Sequence, residues 1–424
     1  MSLSHIRKRT LVFLILLATL MPVTAWASGA IGKIGSRIVI SNKSEEEKNP
    51  SIAYNTQRNE YLVVWYNDRA GNDDIRAQRV RSDGKLIGGP FYIAATNGER
   101  RYPDVAYNSV HDQYFVVWEF VDSSGFHGIH GRRVSGSGQV LDSNDIIIQS
   151  DSSLSTPAKP AIAYASTADR YLIAWAETWH PSPMSHYIYG RRYKSDGTAD
   201  GNAIQIKATI GNTVLQEADL AYNRHANRFL VVWQTKNGAV REIRGQQVTG
   251  KGKLYKAEIA IALGTVKHLN PAVAALPTCP GDYKFFVVWQ NLRPAGDVIY
   301  GRLISEAGIP DAFLTKIDDT TTTPNSHPAI AGNESGNRYL VAWSEDIGTL
   351  DKAIMIRMIN FNGLIAGTVI KIPGLNADFP AAASGKNGDF LVAYHDHYIL
   401  PNDWDIYGQL LGNRIFPPMN SKGH

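Results

Sequence analysis

The stretch NPSIAYNTQRNEYLVVWYNDRAGNDDIRAQRVRSDG (49–84) decides the fold, because the chain says it seven times. Its elements are a Pro-x-Ile-Ala-Tyr-Asn segment, a polar turn, Tyr-Leu-Val-Val-Trp, a variable loop, a strand led by Ile75, and Gly84. The small residue recurs at Ala53, Ala106, Ala163, Ala221, Ala274, Ala331 and Ala383. The large aromatic recurs at Trp65, Trp118, Trp175, Trp233, Trp289, Trp343 and Tyr394, so six of the nine tryptophans occupy one structural position. Several short strands repeating at a fixed period are the mark of a propeller or a similar array.

Within the first unit, SIAYN (51–55), YLVVWY (61–66), IRAQRV (75–80) and PFYIAAT (90–96) read as four strands. They are rich in β-branched and aromatic residues and are bounded by Asn, Asp and Gly. The second is almost continuously apolar, as burial on both faces requires. Small Ala suits the crowded innermost strand, and the Trp is large enough to fill the gap between neighbouring sheets. Nine residues after the third-strand Ile comes Gly84, Gly138, Gly197, Gly252, Gly308 or Gly363 in six units, a turn that calls for positive φ or close backbone approach.

The seventh unit lacks its fourth strand: DIYGQLL (405–411) is followed only by GNRIFPPMNSKGH (412–424). The missing piece is at the other end, where GSRIVISNKSEEEKNP (35–50) aligns with GPFYIAATNGERRYP (89–103). The sequence therefore predicts an all-β, single seven-bladed β-propeller over residues 28–416, four antiparallel strands per blade, closed by the N-terminal strand in the last blade. Residues 417–424 are expected to be a disordered tail.

The repeat units resemble those of large secreted bacterial proteins, which carry similar P-x-V-A-Y, F-L-V-V-W and D-I-Y-G-Q-R-V segments. The resemblance spans nearly the whole of the chain after residue 27. It implies a bacterial, exported or surface-associated propeller, and it brings no catalytic residues.

Residues 1–27 read as a secretory leader, with a basic Arg7-Lys8-Arg9, an apolar run from Thr10 to Met21, and a small-x-small Ala25-Trp26-Ala27 site. The expected location is periplasmic, cell-surface or secreted. The 43 basic and 39 acidic residues fall to 40 and 39 without the leader, giving no electrostatic warrant for nucleic acid. The later apolar segments are strand-length, so no membrane span is expected. The single cysteine, Cys279 in LPTCPGD (276–282), cannot form an intramolecular disulfide and has no His nearby in sequence to activate it. Motifs such as G-x-S-x-G, H-E-x-x-H, C-x-x-C-H and the P-loop are missing from the sequence, and no cofactor is expected.

In a propeller, the loops between second and third strands share one face with the loops that lead to the next blade. Such loops vary freely on a rigid scaffold. Two are distinctive: AETWHPSPMSHY (176–187) in blade three and HDHYILPNDWD (395–405) in blade seven. They hold Trp179 and Trp404, the two tryptophans outside both repeat and leader. Trp179, His180, His397 and Trp404 are accordingly the expected binding residues, framing one depression across the mouth. Their partner would be a protein or a cell-surface glycan, bound by a monomer. His395 and His397 would point to one side of a continuing strand, half of a possible Zn or Cu site, but no further ligands are evident and no metal is expected. Acidic residues follow the second strand at Asp68, Glu119, Glu177, Glu345 and Asp396. Glu177 and Asp396 are the weak catalytic candidates for a polysaccharide hydrolase or lyase, which needs two facing carboxylates. Sialidase-like S-x-D-x-G-x-x-W boxes are not found.

Overall fold

The second strand of each unit shows why blades form. Tyr61, Leu62, Val63, Val64 and Trp65 are all 0 % exposed. Side chains alternate across a strand, so one apolar run can serve two neighbours. Leu62 and Val64 pack with Val116 and Trp118 of the next unit. Tyr61, Val63 and Trp65 pack with Leu391 and Ala393 of the last one. This division is repeated around the ring, and seven hydrophobic clusters each join two consecutive blades.

The computed structural model describes residues 31–69, 72–95, 97–276, 284–319, 323–333, 335–348, 351–397 and 404–413. The leader, Cys279, Tyr398 and the C-terminal tail lie outside them. The described residues form seven four-stranded sheets, six of them continuous in sequence. Blade one comprises Glu46–Asn55, Glu60–Asp68, Asp74–Arg81 and Leu86–Ala94. Blade seven comprises Asp378–Ser384, Phe390–Asp396 and Asp405–Asn413, with Ile31–Ser41 antiparallel to the last of these as its outer strand. The expected closure is thus present, beginning four residues earlier than the sequence suggested. Blade five departs most from the repeat, its outer strand being only Thr315–Lys316. There the Asp318 carboxylate accepts the Ile299 N–H at 3.0 Å, a side-chain bond to the neighbouring strand just beyond the two paired residues.

Polar latches reinforce the closure. Ser41, at the end of the closing strand, donates to the buried Glu47 carboxylate at 2.7 Å, which also accepts the Trp65 indole N–H at 3.0 Å. Desolvation raises the Glu47 carboxyl to about 7. Arg37 pairs with Asp396 at 3.2 Å and lies 4.1 Å above the Tyr407 ring. All six glycines of the third-to-fourth turn have positive φ, between 76° and 90°. Gly138 also touches the preceding blade, for a Cβ there would stand 2.9 Å from Arg79 Cδ. Among the described residues no helix is long and apolar enough to cross a membrane.

Candidate binding face

The inner strands carry a feature that the sequence reading passed over. Each is longer than expected and is broken by a register shift around the residue preceding the repeat's proline. Proline has no N–H to give the ladder, so a bulge is where a strand can hold it. The residues before it, Asn49, Tyr102, Lys159, Glu217, Asn270, His327 and Phe379, all have φ between 45° and 51°. A left-handed backbone costs a non-glycine residue about 1–2 kcal/mol. The fold pays this in every blade, even in blade four, where Ala218 replaces the proline. Six different residue types fill the seven positions. The repeat therefore specifies the backbone there and leaves the side chain free.

Five of these residues, Asn49, Tyr102, Lys159, Glu217 and Phe379, line a central channel of about 350 Å³ together with Pro50, Pro103, Pro160, Pro271, Pro328 and Pro380. On one side they open into a depression of about 570 Å³ shared by blades six, seven, one and two. Aromatic rings form much of its wall: Tyr66, Tyr102, Phe379 and Trp404. Charges of both signs face it, from Lys48 and Lys352 and from Asp346, Asp351 and Asp378.

The polar groups of this depression are held in place before any ligand arrives. Asp378 accepts from Lys352 Nζ and pairs with His327 Nδ1 at 2.9 Å; hydrogen bonds and the His327 charge outweigh its burial and hold the carboxyl well below its usual range. The His327 ring stacks on Phe379 at 3.7 Å. His395 is buried, and burial lowers its imidazole to about 3, so it is neutral. Its Nδ1 accepts the backbone N–H of Asn49 at 3.2 Å, which places the ring proton on Nε2. Trp404 meets His395 and His397 edge to face, with centroids 4.5 and 3.5 Å away. Across the mouth, Lys159 lies 4.9 Å over the Tyr102 ring and binds Glu217 at 2.7 and 2.8 Å. This arrangement can bind a ligand that offers both apolar surface and charge or hydroxyl groups.

The four residues chosen from sequence do not frame one depression. Trp404 lines the mouth and His397 packs against it. Trp179 lines a separate cleft on blade three. His180 bonds Thr156 Oγ1 through Nε2 at 2.6 Å. The His395 and His397 pair, set aside as a metal half-site in the sequence, is two imidazoles that share one tryptophan. Among the described residues no group of three or more His, Cys, Asp or Glu side chains is placed to hold a metal ion.

Glu177 and Asp396 are not rim groups either, being 5 % and 0 % exposed. Glu177 accepts the Trp175 indole N–H at 2.9 Å, and Asp396 accepts the N–H groups of Leu375 and Asn376 at 3.1 and 2.9 Å. Two other carboxylates, Asp104 and Asp219, line the channel. Desolvation and then the charge of Asp104 raise Asp219 to about 7. Each accepts a backbone N–H from the following blade, of Ile162 and Val273 respectively, at 2.8 Å, and so ties inner strands together.

No family model and no curated protein sequence matches the chain. Solved structures do. A protein of unknown function from Dyadobacter fermentans superposes with a TM-score of 0.55 at 12 % identity, over 91 % of this chain and 99 % of that one. An α-L-arabinanase from Penicillium chrysogenum, solved with arabinobiose, gives 0.51 at 14 % identity, over 90 % and 99 %. At such identities the likeness is one of fold.

Proposed function

We propose that this propeller is an exported binding or scaffold module, which recognises a protein or cell-surface partner through the mouth built by its second-to-third strand loops and inner-strand bulges. The observation that carries the reading is the rim itself: seven left-handed residues, repeated in backbone and varied in side chain, of which Asn49, Tyr102 and Phe379 line an aromatic depression of mixed charge. Backbone strain kept where side chains are free to differ is what a display surface needs. Export rests on the leader pattern in residues 1–27.

The second reading is action on a polysaccharide, for which Asp346, Asp351 and Asp378 supply carboxylates in the same depression. The test pairs a glycan array with capture from cell-envelope extract, run with the parent protein and with a Tyr102→Ser, Phe379→Ser double variant. Binding that disappears in the variant supports the reading. Undiminished binding in a variant that melts normally overturns the mouth as the site. Polysaccharide turnover abolished by Asp351→Asn would establish the enzyme instead.

A further inference from the structure

Blade three carries an aromatic cleft that the mouth does not use. Its second strand, Arg170–Trp179, pairs with Ser185–Tyr193 so that Trp175 faces Tyr189, Glu177 faces Tyr187 and Trp179 faces Ser185. Alternation puts all six side chains on one side of the sheet, the side toward blade two. The rings of Tyr187 and Tyr189 stack at 5.1 Å and 18°, and Tyr189 lies 5.9 Å from Trp175. An aromatic ladder thus runs outward from the buried core and ends beside Trp179, which is 38 % exposed.

Glu177 and the Gln149 side chain of blade two supply the polar wall of this cleft, whose volume is about 430 Å³. Blade three alone has this set. At the position of Tyr187 the other blades have Asp74, Gly128, Glu242, Val298, Ala353 and Asp405, and none of them has Trp where Trp179 stands.

We infer that the cleft is a second binding site, independent of the mouth, which takes a neutral saccharide chain. The chemistry selects that class. Glu177 is the one charged side chain among those lining it, so no cation is present to draw in a phosphate, sulfate or acidic sugar. A cationic guest fits poorly as well. The Glu177 carboxylate already accepts from Trp175 Nε1 at 2.9 Å and Gln149 Nε2 at 3.4 Å, and the tyrosines stack on each other rather than surround a point. What remains is flat aromatic surface for the C–H faces of sugar rings, with the half-buried Gln149 amide at its polar wall to bond their hydroxyls. The cleft and the mouth have no lining residue in common.

Affinity electrophoresis of the whole protein through gels containing xylan, mannan, arabinan or laminarin tests the inference, with polygalacturonate as the acidic control. Retardation by at least one neutral polymer is expected. It should weaken at least about fivefold in Trp179→Ala, persist in Trp179→Phe, and be unaffected by Trp404→Ala at the mouth. The inference is overturned if none of the four neutral polymers retards the protein, if polygalacturonate binds better, or if Trp179→Ala migrates like the parent. Loss confined to Trp404→Ala would also sink it, while supporting the mouth.

Discussion

Replacing Trp118 by Ala tests the division between core and loop aromatics most directly. Trp118 is 0 % exposed and lies in the cluster joining blades one and two, against Leu62, Val64 and Ile75. A buried aromatic removes about 150–250 Å² from water. At about 25 cal/mol per Å² that is worth about 4–6 kcal/mol, an upper figure because the unfolded chain is itself partly collapsed. Large-to-small substitutions of aromatics in cores cost about 3–5 kcal/mol. The expected loss is therefore about 4 kcal/mol, and Trp233, equally buried between blades three and four, should lose about as much. Trp179 keeps 38 % exposure, and Trp179→Ala should cost about 1 kcal/mol or less. Urea denaturation followed by circular dichroism gives the comparison, provided the slope of each transition is unchanged. If Trp179→Ala proves as costly as Trp118→Ala, the assignment of one to the fold and the other to a binding cleft is refuted.

Removing Ile31–Ser41 should leave blade seven three-stranded with an open edge, broadening the thermal transition and lowering its midpoint; an unchanged melt would refute the closure as a source of stability. Gly138→Ala should destabilise by about 1–2 kcal/mol, since φ is +90° and the Cβ would stand 2.9 Å from Arg79 Cδ. Gly89→Ala, with open space around it, should stay within about 0.5 kcal/mol. Asp219, raised to about 7, keeps its proton in the folded state at pH values where the unfolded chain has lost it. Its contribution is full below about pH 4 and is lost as pH rises to about 7. Asp219→Asn should flatten that decline in urea unfolding between about pH 4 and pH 7, and a parallel pH profile in the variant would contradict the assignment.

The ring, its seven-fold count and its closure were legible because they rest on residues that recur. A position filled by Trp six times and Tyr once has an environment repeated seven times, and strand alternation converts that into two buried faces. The mouth was illegible for the converse reason. Asn49, Tyr102 and Phe379 have nothing in common as side chains, and a residue before proline is ordinarily read as extended. Only the register shift of the inner strand reveals that all three share one left-handed geometry. Glu177 and Asp396 were misplaced at the rim because their burial depends on groups remote in sequence, Gln149 in one case and the backbone at Leu375 and Asn376 in the other. Trp404 was found, but its edge-to-face contact with His395 is a tertiary contact that periodicity does not encode.

The closing strand also sets an order of events. Gln409 Nε2 donates to the Ile34 carbonyl across 375 residues of sequence. A ribosome makes that carbonyl 375 residues before its donor. Blades one to six can each assemble from local hairpins as they emerge, whereas Ile31–Ser41 must wait, unpaired, until the last hairpin appears. Contacts so distant in sequence slow folding, because loop entropy is paid before they repay it. For the whole of that interval the strand is an open edge carrying Ile38, Val39 and Ile40, able to pair with another chain as readily as with its own. Charged Lys33 and Arg37 stand along the same strand, where they discourage such pairing until Asp405–Asn413 arrives.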